Sequence, residues 1–401
     1  MNRCQRLLLL VPDREAYYST TAYSIVKAAN QLGVDATFVG GLRTPEEHAQ
    51  AVARYNPDVI FEFNQSRNQA QGAIPQSVRH ICWVQDPRGG AGDGDLLAND
   101  PHFGGSDIIY TYGAADKCNL DPANYPDSLW GVLYYGVDPD FFYPAPGVAF
   151  RRNSSFCGYM PPLVPHMDNQ PFLSLGDRHL TFGELEYYMV REKRADARLS
   201  PAGLHQLILD KINQHFGLTM NIEEFRSIVG KNPNLRRFDL DLPRLPDRER
   251  IVDAAVPFGG LELFGPQTWL TWPKYRALYR GMLNWRTDLA DVYRSSIVNL
   301  HNGLETISQP RGMEIMASGG LLFTHSPINV PDDPDFARLI PSVHYVEFPE
   351  SAPDYAAILL DHYISHPEEA RRIGMAGAEE MHARHLWRHR MARIFADLSA
   401  L

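Results

Sequence analysis

The chain has 401 residues, of which 44% are apolar and 21% charged. That is ordinary globular usage over a length suited to two domains or slightly more, which argues against disorder, collagen and coiled coil. With 38 basic against 48 acidic side chains the net charge is −10; a polyanion-binding surface needs clustered Lys and Arg, so no nucleic-acid partner is expected.

The first apolar run, Arg6–Val11, stops at Pro12. It is too short for a signal peptide or a membrane span and reads as a buried strand. Thr20–Leu32 follows with helical spacing and ends at Gly33; Asp35–Val39 reads as a strand and Pro45–Tyr55 as a helix opened by proline. Asp58–Phe63, His80–Val84, Asp107–Tyr112 and Leu129–Tyr134 continue the strands. Continuous apolar strands separated by helices imply a parallel sheet covered on both faces. Gly136–Pro146, with three prolines, reads as a linker.

After the linker the alternation restarts, with strands at Ser154–Gly158, Leu261–Phe264, Ile297–Leu300, Gly320–Thr324 and Val343–Phe348. Helices are expected at Asp247–Ala255, Thr287–Ser295, Gly312–Ala317, Ala352–Ser365 and from Pro367 to about Arg384. Between Pro161 and Pro243 no strand run appears, and Leu204–Phe216 and Ile222–Val229 have helical period, so this stretch reads as a helical insertion. The fold class is therefore α/β, with two doubly wound Rossmann-like domains facing a cleft. The expected division is 1–145 and 146–385, with a C-terminal helix, 386–401, packing back on the first domain. Cys4, Cys82, Cys118 and Cys157 form no CxxC pair and no disulfide framework, so a cytoplasmic location is expected.

Ligands of such sheets bind beyond the carboxyl ends of the strands. The most informative strand end is Asn299–Gly320. A polar loop follows His301, then Pro310, Arg311 and Gly312 open a short helix, and Gly319-Gly320 turns into the next strand. A helix N-terminus with Arg311 beside it suits an anionic phosphate, and Glu314, one turn in, suits the two hydroxyls of a ribose.

The run Arg311-x-x-Glu314-x-Met316-Ala317-x-Gly319-Gly320 resembles that of GT-B glycosyltransferases, in particular the CgeB-like group of the large retaining family. Trp83-x-x-Asp86, Tyr135–Pro144, Phe156-Cys157-Gly158 and His385-x-x-x-x-Arg390 resemble further segments of that family, in the right order. The resemblance implies a nucleotide-diphosphate-sugar donor held by the second domain, with Glu314 on the ribose. The family's first acid of a Glu-x7-Glu pattern would stand at 306, where this chain has Thr306; Glu305 and Asn302 are the candidate substitutes. Charge growing on the departing diphosphate would be met by Arg311, the helix end and N–H groups around Gly158, without a metal. Lys274, Arg276 and Arg280 are weaker candidates for the same role. Four Asp-x-Asp matches (93/95, 138/140, 239/241, 333/335) are near chance in an acidic chain, and His385 and His389, i and i+4 on one expected helix, lack the further ligands of a zinc motif.

On the acceptor side, Asp86 ends a strand before a Gly-rich loop and is placed to orient or deprotonate a hydroxyl. Tyr18, Ser19 and Thr20 follow the first strand, and Glu62 and Asn64 end the third. The expected reaction is transfer of a sugar to a hydroxyl of a glycan, small molecule or protein, with retention implied by the resemblance alone and no cofactor. A nucleotide-sugar epimerase on the same fold would consume donor with no acceptor. A non-catalytic binding protein would hold nucleotide without turnover.

Overall fold

The structure, a computed structural model, describes residues 4–11, 16–41, 44–86, 102–196, 199, 201–222, 224–225, 244–302, 308–326, 338–349 and 352–401. The first domain contains β1 (Arg6–Val11), α1 (Ala16–Gln31), β2 (Asp35–Gly40), α2 (Pro45–Tyr55), β3 (Val59–Phe63), β4 (Arg79–Val84), β5 (Ile108–Thr111) and β6 (Leu129–Val132). All six strands are parallel in the order β2-β1-β3-β4-β5-β6. In β1, Leu7, Leu9 and Val11 pack on the α1 side while Leu8 and Leu10 pack on the α2 side. Burial on both faces is why that run is apolar without alternation. The start of α2 is fixed by a capping box between Thr44 and Glu47, with Pro45 at its first turn. Between β3 and β6 the described connections are short 3-10 turns at Arg67–Ala70, Ala115–Cys118 and Pro122–Asn124, shorter than the expected helices.

The second domain begins with β7 (Arg152–Cys157) and continues through β8 (Pro171–Leu175), β9 (Arg178–Thr181), α3 (Phe182–Ala195), α4 (Pro201–Phe216) and α5 (Leu245–Ala255). There follow β10 (Leu261–Phe264), β11 (Tyr279–Gly281), α6 (Leu289–Arg294), β12 (Ser296–His301), α7 (Pro310–Ala317), β13 (Leu322–His325) and β14 (Val346–Phe348), then α8 (Pro353–Ser365), α9 (Pro367–Arg384) and α10 (Trp387–Ala400). Its parallel sheet has the order β11-β10-β7-β12-β13-β14. Two features correct the sequence reading. The insertion is not purely helical: β8 and β9 form an antiparallel hairpin joined by Gly176-Asp177, with Gly176 at φ +62°. Leu180, Phe182, Leu185, Met189, Leu204 and Ile208 then pack into one core with Leu261, Leu263 and Phe323 of the second sheet. His385 and His389 do not share a helix, because the chain breaks between α9 and α10, and His385 instead sits 3.0 Å from Arg390 Nη2 through Nδ1.

The linker and α10 lock together. Val137 N–H donates to His385 O (2.9 Å) and Trp387 N–H donates to Val137 O (3.1 Å). A Cβ on Gly136 would lie 2.7 Å from Trp387 Cα, so only glycine permits this approach. Trp387 packs edge-on to Trp83 of β4, and Tyr110 donates to Asp397 at 2.6 Å, seating α10 on the first domain.

Glu62, offered by the sequence as an acceptor-side group, is instead a core residue only 2% exposed. His48 Nε2 lies 3.3 Å from one of its carboxylate oxygens and His80 Nε2 2.8 Å from the other. His48 Nδ1 faces the Thr44 carbonyl at 2.8 Å, an acceptor only, so both ring nitrogens of His48 face acceptors and the protonated ring is favoured. The hydrogen bond to Glu62 raises the His48 pKa; burial opposes ionisation of Glu62, but its two histidine partners outweigh burial and hold it below its usual value. The raised histidine contributes stability that is full below its unfolded value near 6.5 and is lost as pH rises through its folded value. The lowered carboxyl contributes stability that is lost as pH falls below about 4.5. Urea unfolding at pH 6 and pH 9 should show the first domain weaker at pH 9, and Glu62→Gln should cost about 3–5 kcal/mol at pH 6.

Candidate functional site at the strand ends

A ligand crevice in a doubly wound sheet opens where the strand order reverses. In the first sheet that point lies between β1 and β3, and in the second between β7 and β12. The candidate residues fall at these two places.

In the second domain, α7 begins at Pro310 after an N-cap, Gln309, whose side chain makes no capping bond. The N–H groups of its first turn, at Arg311 and Gly312, have no acceptor within the helix. Arg311 is half-buried and donates through Nη1 to the carbonyl of Cys157, the last residue of β7. Its charge is thereby held at the reversal point. Glu314 is half-buried one turn further on, and among the described residues its carboxylate has no hydrogen bond or ion pair. Burial pushes its carboxyl up to about 7, with Arg311 pulling the other way.

Near this pair Tyr293 Oη and His301 Nε2 are buried without a hydrogen-bond partner among the described residues, as is Asn302 Oδ1, next along the chain from His301. Burial and the nearby Arg311 and Arg248 drive the His301 pKa down to about 3, with Gln309 opposing, so the ring is neutral at physiological pH. Buried polar atoms in folded proteins are generally satisfied, so this group beside one arginine and one carboxyl is the candidate place for a polar ligand. Tyr293 and His301 were not singled out from the sequence, where a Tyr on a helix and a His ending a strand have no distinguishing spacing.

Of the glycines, Gly312 is buried within α7, and Gly319, at φ +78°, ends the helix. Gly320 admits no side chain, since a Cβ would lie 2.6 Å from Asn299 Nδ2 and 2.8 Å from the Tyr293 carbonyl. Gly158 differs from expectation, because its N–H donates to Phe264 O at 2.8 Å and is not open to a phosphate. Glu305 and Thr306 lie outside the described residues. Lys274 pairs with Glu249 and Asp253, Arg276 with the Leu270 carbonyl, and Arg280 with Glu262, so these three are tied to the surface of their own domain. Of the Asp-x-Asp matches, Asp138 and Asp140 both pair with Lys27, and the others lie outside the described residues.

Across the cleft, Tyr18, Asn64 and Asp86 come together at the ends of β1, β3 and β4. Tyr18 Oη donates to Asp86 Oδ2 at 3.4 Å and Asn64 Nδ2 donates to the same oxygen at 3.0 Å. Ser19 and Thr20 stand inside α1, which begins at Ala16, so neither is its N-cap; their hydroxyls are half-buried and make no bond to Asp86. The Gly-rich loop after Asp86 lies outside the described residues. The two halves meet where Tyr112 Oη, beyond β5, lies 3.4 Å from Ser308 Oγ, just before α7. Gly320→Ala should destabilise the protein by about 1–3 kcal/mol in urea unfolding, as overpacking against backbone does.

Residues 246–396 match a family model described as glycosyl transferase-like. None of the curated proteins compared with the sequence matches it. Among solved structures the chain is similar to a sucrose-phosphate synthase of Thermosynechococcus elongatus, with a TM-score of 0.58 at 10% identity over 99% of both chains. It is also similar to a glycosyltransferase of Rickettsia africae, with a TM-score of 0.52 at 10% identity over 99% of both chains. A third is HepE of Anabaena, solved in complex with UDP-glucose, with a TM-score of 0.50 at 10% identity over 99% of this chain and all of that one. At such identities the likeness speaks for the fold alone. The chain has the two-sheet GT-B fold of these glycosyltransferase structures, and its residues 246–396 are similar to the glycosyl transferase-like family.

Proposed function

We propose that the protein transfers a sugar from a nucleoside diphosphate sugar to a hydroxyl acceptor, as a metal-independent, retaining enzyme of the CgeB-like group. The observation that carries this reading is Glu314, a half-buried carboxyl beside Arg311 at the start of α7, with no hydrogen-bond partner among the described residues and a pKa pushed up by burial. A ribose supplies two hydroxyl donors to such a carboxylate, and the diphosphate next to it meets the Arg311 guanidinium and the positive end of the helix. The complex of HepE with UDP-glucose favours a uridine donor of this kind. Asn302 Oδ1, as an acceptor, suits a hydroxyl of the transferred sugar.

As the bond from the anomeric carbon to the diphosphate breaks, its electron pair moves to the phosphate oxygen, where Arg311 stabilises the added charge. The acceptor hydroxyl, hydrogen-bonded to Asp86, attacks on the same face, and its proton passes to the departing phosphate oxygen. Motif resemblance supports the retaining assignment, so no covalent nucleophile is named. Four free thiols agree with a reducing cytoplasm, and among the described residues no helix is long and apolar enough to cross a membrane.

Glu314→Gln tests the reading in two opposed directions. A carboxyl raised to about 7 destabilises the folded state wherever it ionises there, so the unligated variant should melt higher than the parent at pH 8. Its affinity for UDP, measured by calorimetry, should fall about 10–100-fold, the worth of about 1.5–3 kcal/mol of charged hydrogen bonding. Unchanged UDP affinity would remove Glu314 from the site.

A further inference from the structure

Asn64 stands one residue beyond β3 in the left-handed region, at φ +58°. Few residue types other than glycine take that conformation readily, and asparagine is the commonest of them. Its amide orientation is fixed by its partners. Oδ1 accepts from two successive backbone amides, Gln85 N at 2.6 Å and Asp86 N at 3.3 Å. Nδ2 donates to Asp86 Oδ2 at 3.0 Å and to Tyr18 Oη at 3.4 Å. Exchanging oxygen and nitrogen would set donor against donor and acceptor against carboxylate. One side chain therefore grips both the main chain and the carboxylate of Asp86.

The grip is one-sided. Both donors that reach the Asp86 carboxylate, from Asn64 and Tyr18, go to Oδ2, and among the described residues no hydrogen bond goes to Oδ1. Asp86 is exposed at the end of β4, beside the point where the first sheet reverses its order. A carboxylate pinned through one oxygen presents the other in a fixed direction, which is what orienting an attacking hydroxyl requires.

We propose that Asn64 is a positioning residue for glycosyl transfer: it holds Asp86 through its backbone and Oδ2 so that Oδ1 receives the acceptor hydroxyl. The proposal rests on the glycosyl-transfer reading above. Water serves as the acceptor in the test, which is hydrolysis of UDP-, GDP- and ADP-glucose by the full chain, alongside UDP binding.

Asn64→Gly keeps the backbone conformation and removes the amide. It should lower kcat for the donor that the parent hydrolyses best by tenfold or more, with donor KM and UDP affinity within twofold. Because Asn64 acts through Asp86, the Asn64→Gly/Asp86→Ala double variant should be no slower than Asp86→Ala. Asn64→Asp retains the backbone acceptor but loses the donor to Oδ2; it should also lose kcat, and it decides the matter if the glycine variant does not fold. Parental kcat in both variants, or losses that multiply in the double variant, would overturn the positioning role while leaving the transfer reading intact. A parent that binds UDP but hydrolyses none of the three donors would count against the transfer reading itself, and the inference would go with it.

Discussion

Glu314 stands half-buried beside Arg311 with no hydrogen-bond partner among the described residues, and much of the second domain's packing converges on that one arrangement. An unsatisfied buried polar group costs about 1–3 kcal/mol, and more if charged. A fold tolerates such a penalty only where surrounding packing enforces it. Here the enforcement is visible: α7 is pinned at its start by Arg311 reaching the Cys157 carbonyl, and at its end by the Gly319-Gly320 turn, where no side chain fits against Asn299 and Tyr293. Tyr293 Oη and His301 Nε2 lie buried in the same neighbourhood with no hydrogen-bond partner among the described residues. Strain of this kind collects where a ligand completes the structure.

The two sheets put this locus opposite a second one of different character. Asp86, Asn64 and Tyr18 are mutually hydrogen-bonded at the strand ends, whereas Glu314 is half-buried with no hydrogen-bond partner among the described residues. The Glu314 side is suited to grip an anion and its ribose, and the Asp86 side to admit a variable hydroxyl. The linker pairs with the start of α10 through Val137 and across Gly136, and α10 in turn packs on the first domain through Trp387 and Asp397.

Much of the architecture was legible in the sequence, because its signals were local. Arg6–Val11 and Pro45–Tyr55 match their elements residue for residue: one is a continuous apolar run, and the other carries a proline and the Thr44/Glu47 capping box. The hairpin at 171–181 was missed: Gly176-Asp177 stands between Leu173-x-Leu175 and Leu180, but its strands are short and sit beside strong helical periods. The strand at Tyr279–Gly281 has three residues with an arginine in the middle and carries no periodicity. The break at His385-Leu386 has neither glycine nor proline; it is imposed by Trp387 docking on Gly136, a tertiary contact that no local pattern encodes. At the site, residue types and strand ends were readable from Arg311, Glu314 and Asp86. The missing partner of Glu314, the engaged N–H of Gly158 and the bracket made by Asn64 are properties of three-dimensional neighbours, and so emerged only from the fold.

The central claim, that Glu314 is the desolvated carboxyl a nucleotide completes, has a direct thermodynamic signature. A group with a folded pKa of about 7 is half-protonated at neutral pH and must ionise to accept two ribose hydroxyls. Calorimetric titration of UDP at pH 7 in two buffers of different ionisation enthalpy should therefore show net proton release, of about half a proton per nucleotide, and the release should vanish in Glu314→Gln. Binding with no proton release, or the same release in the variant, would contradict the account.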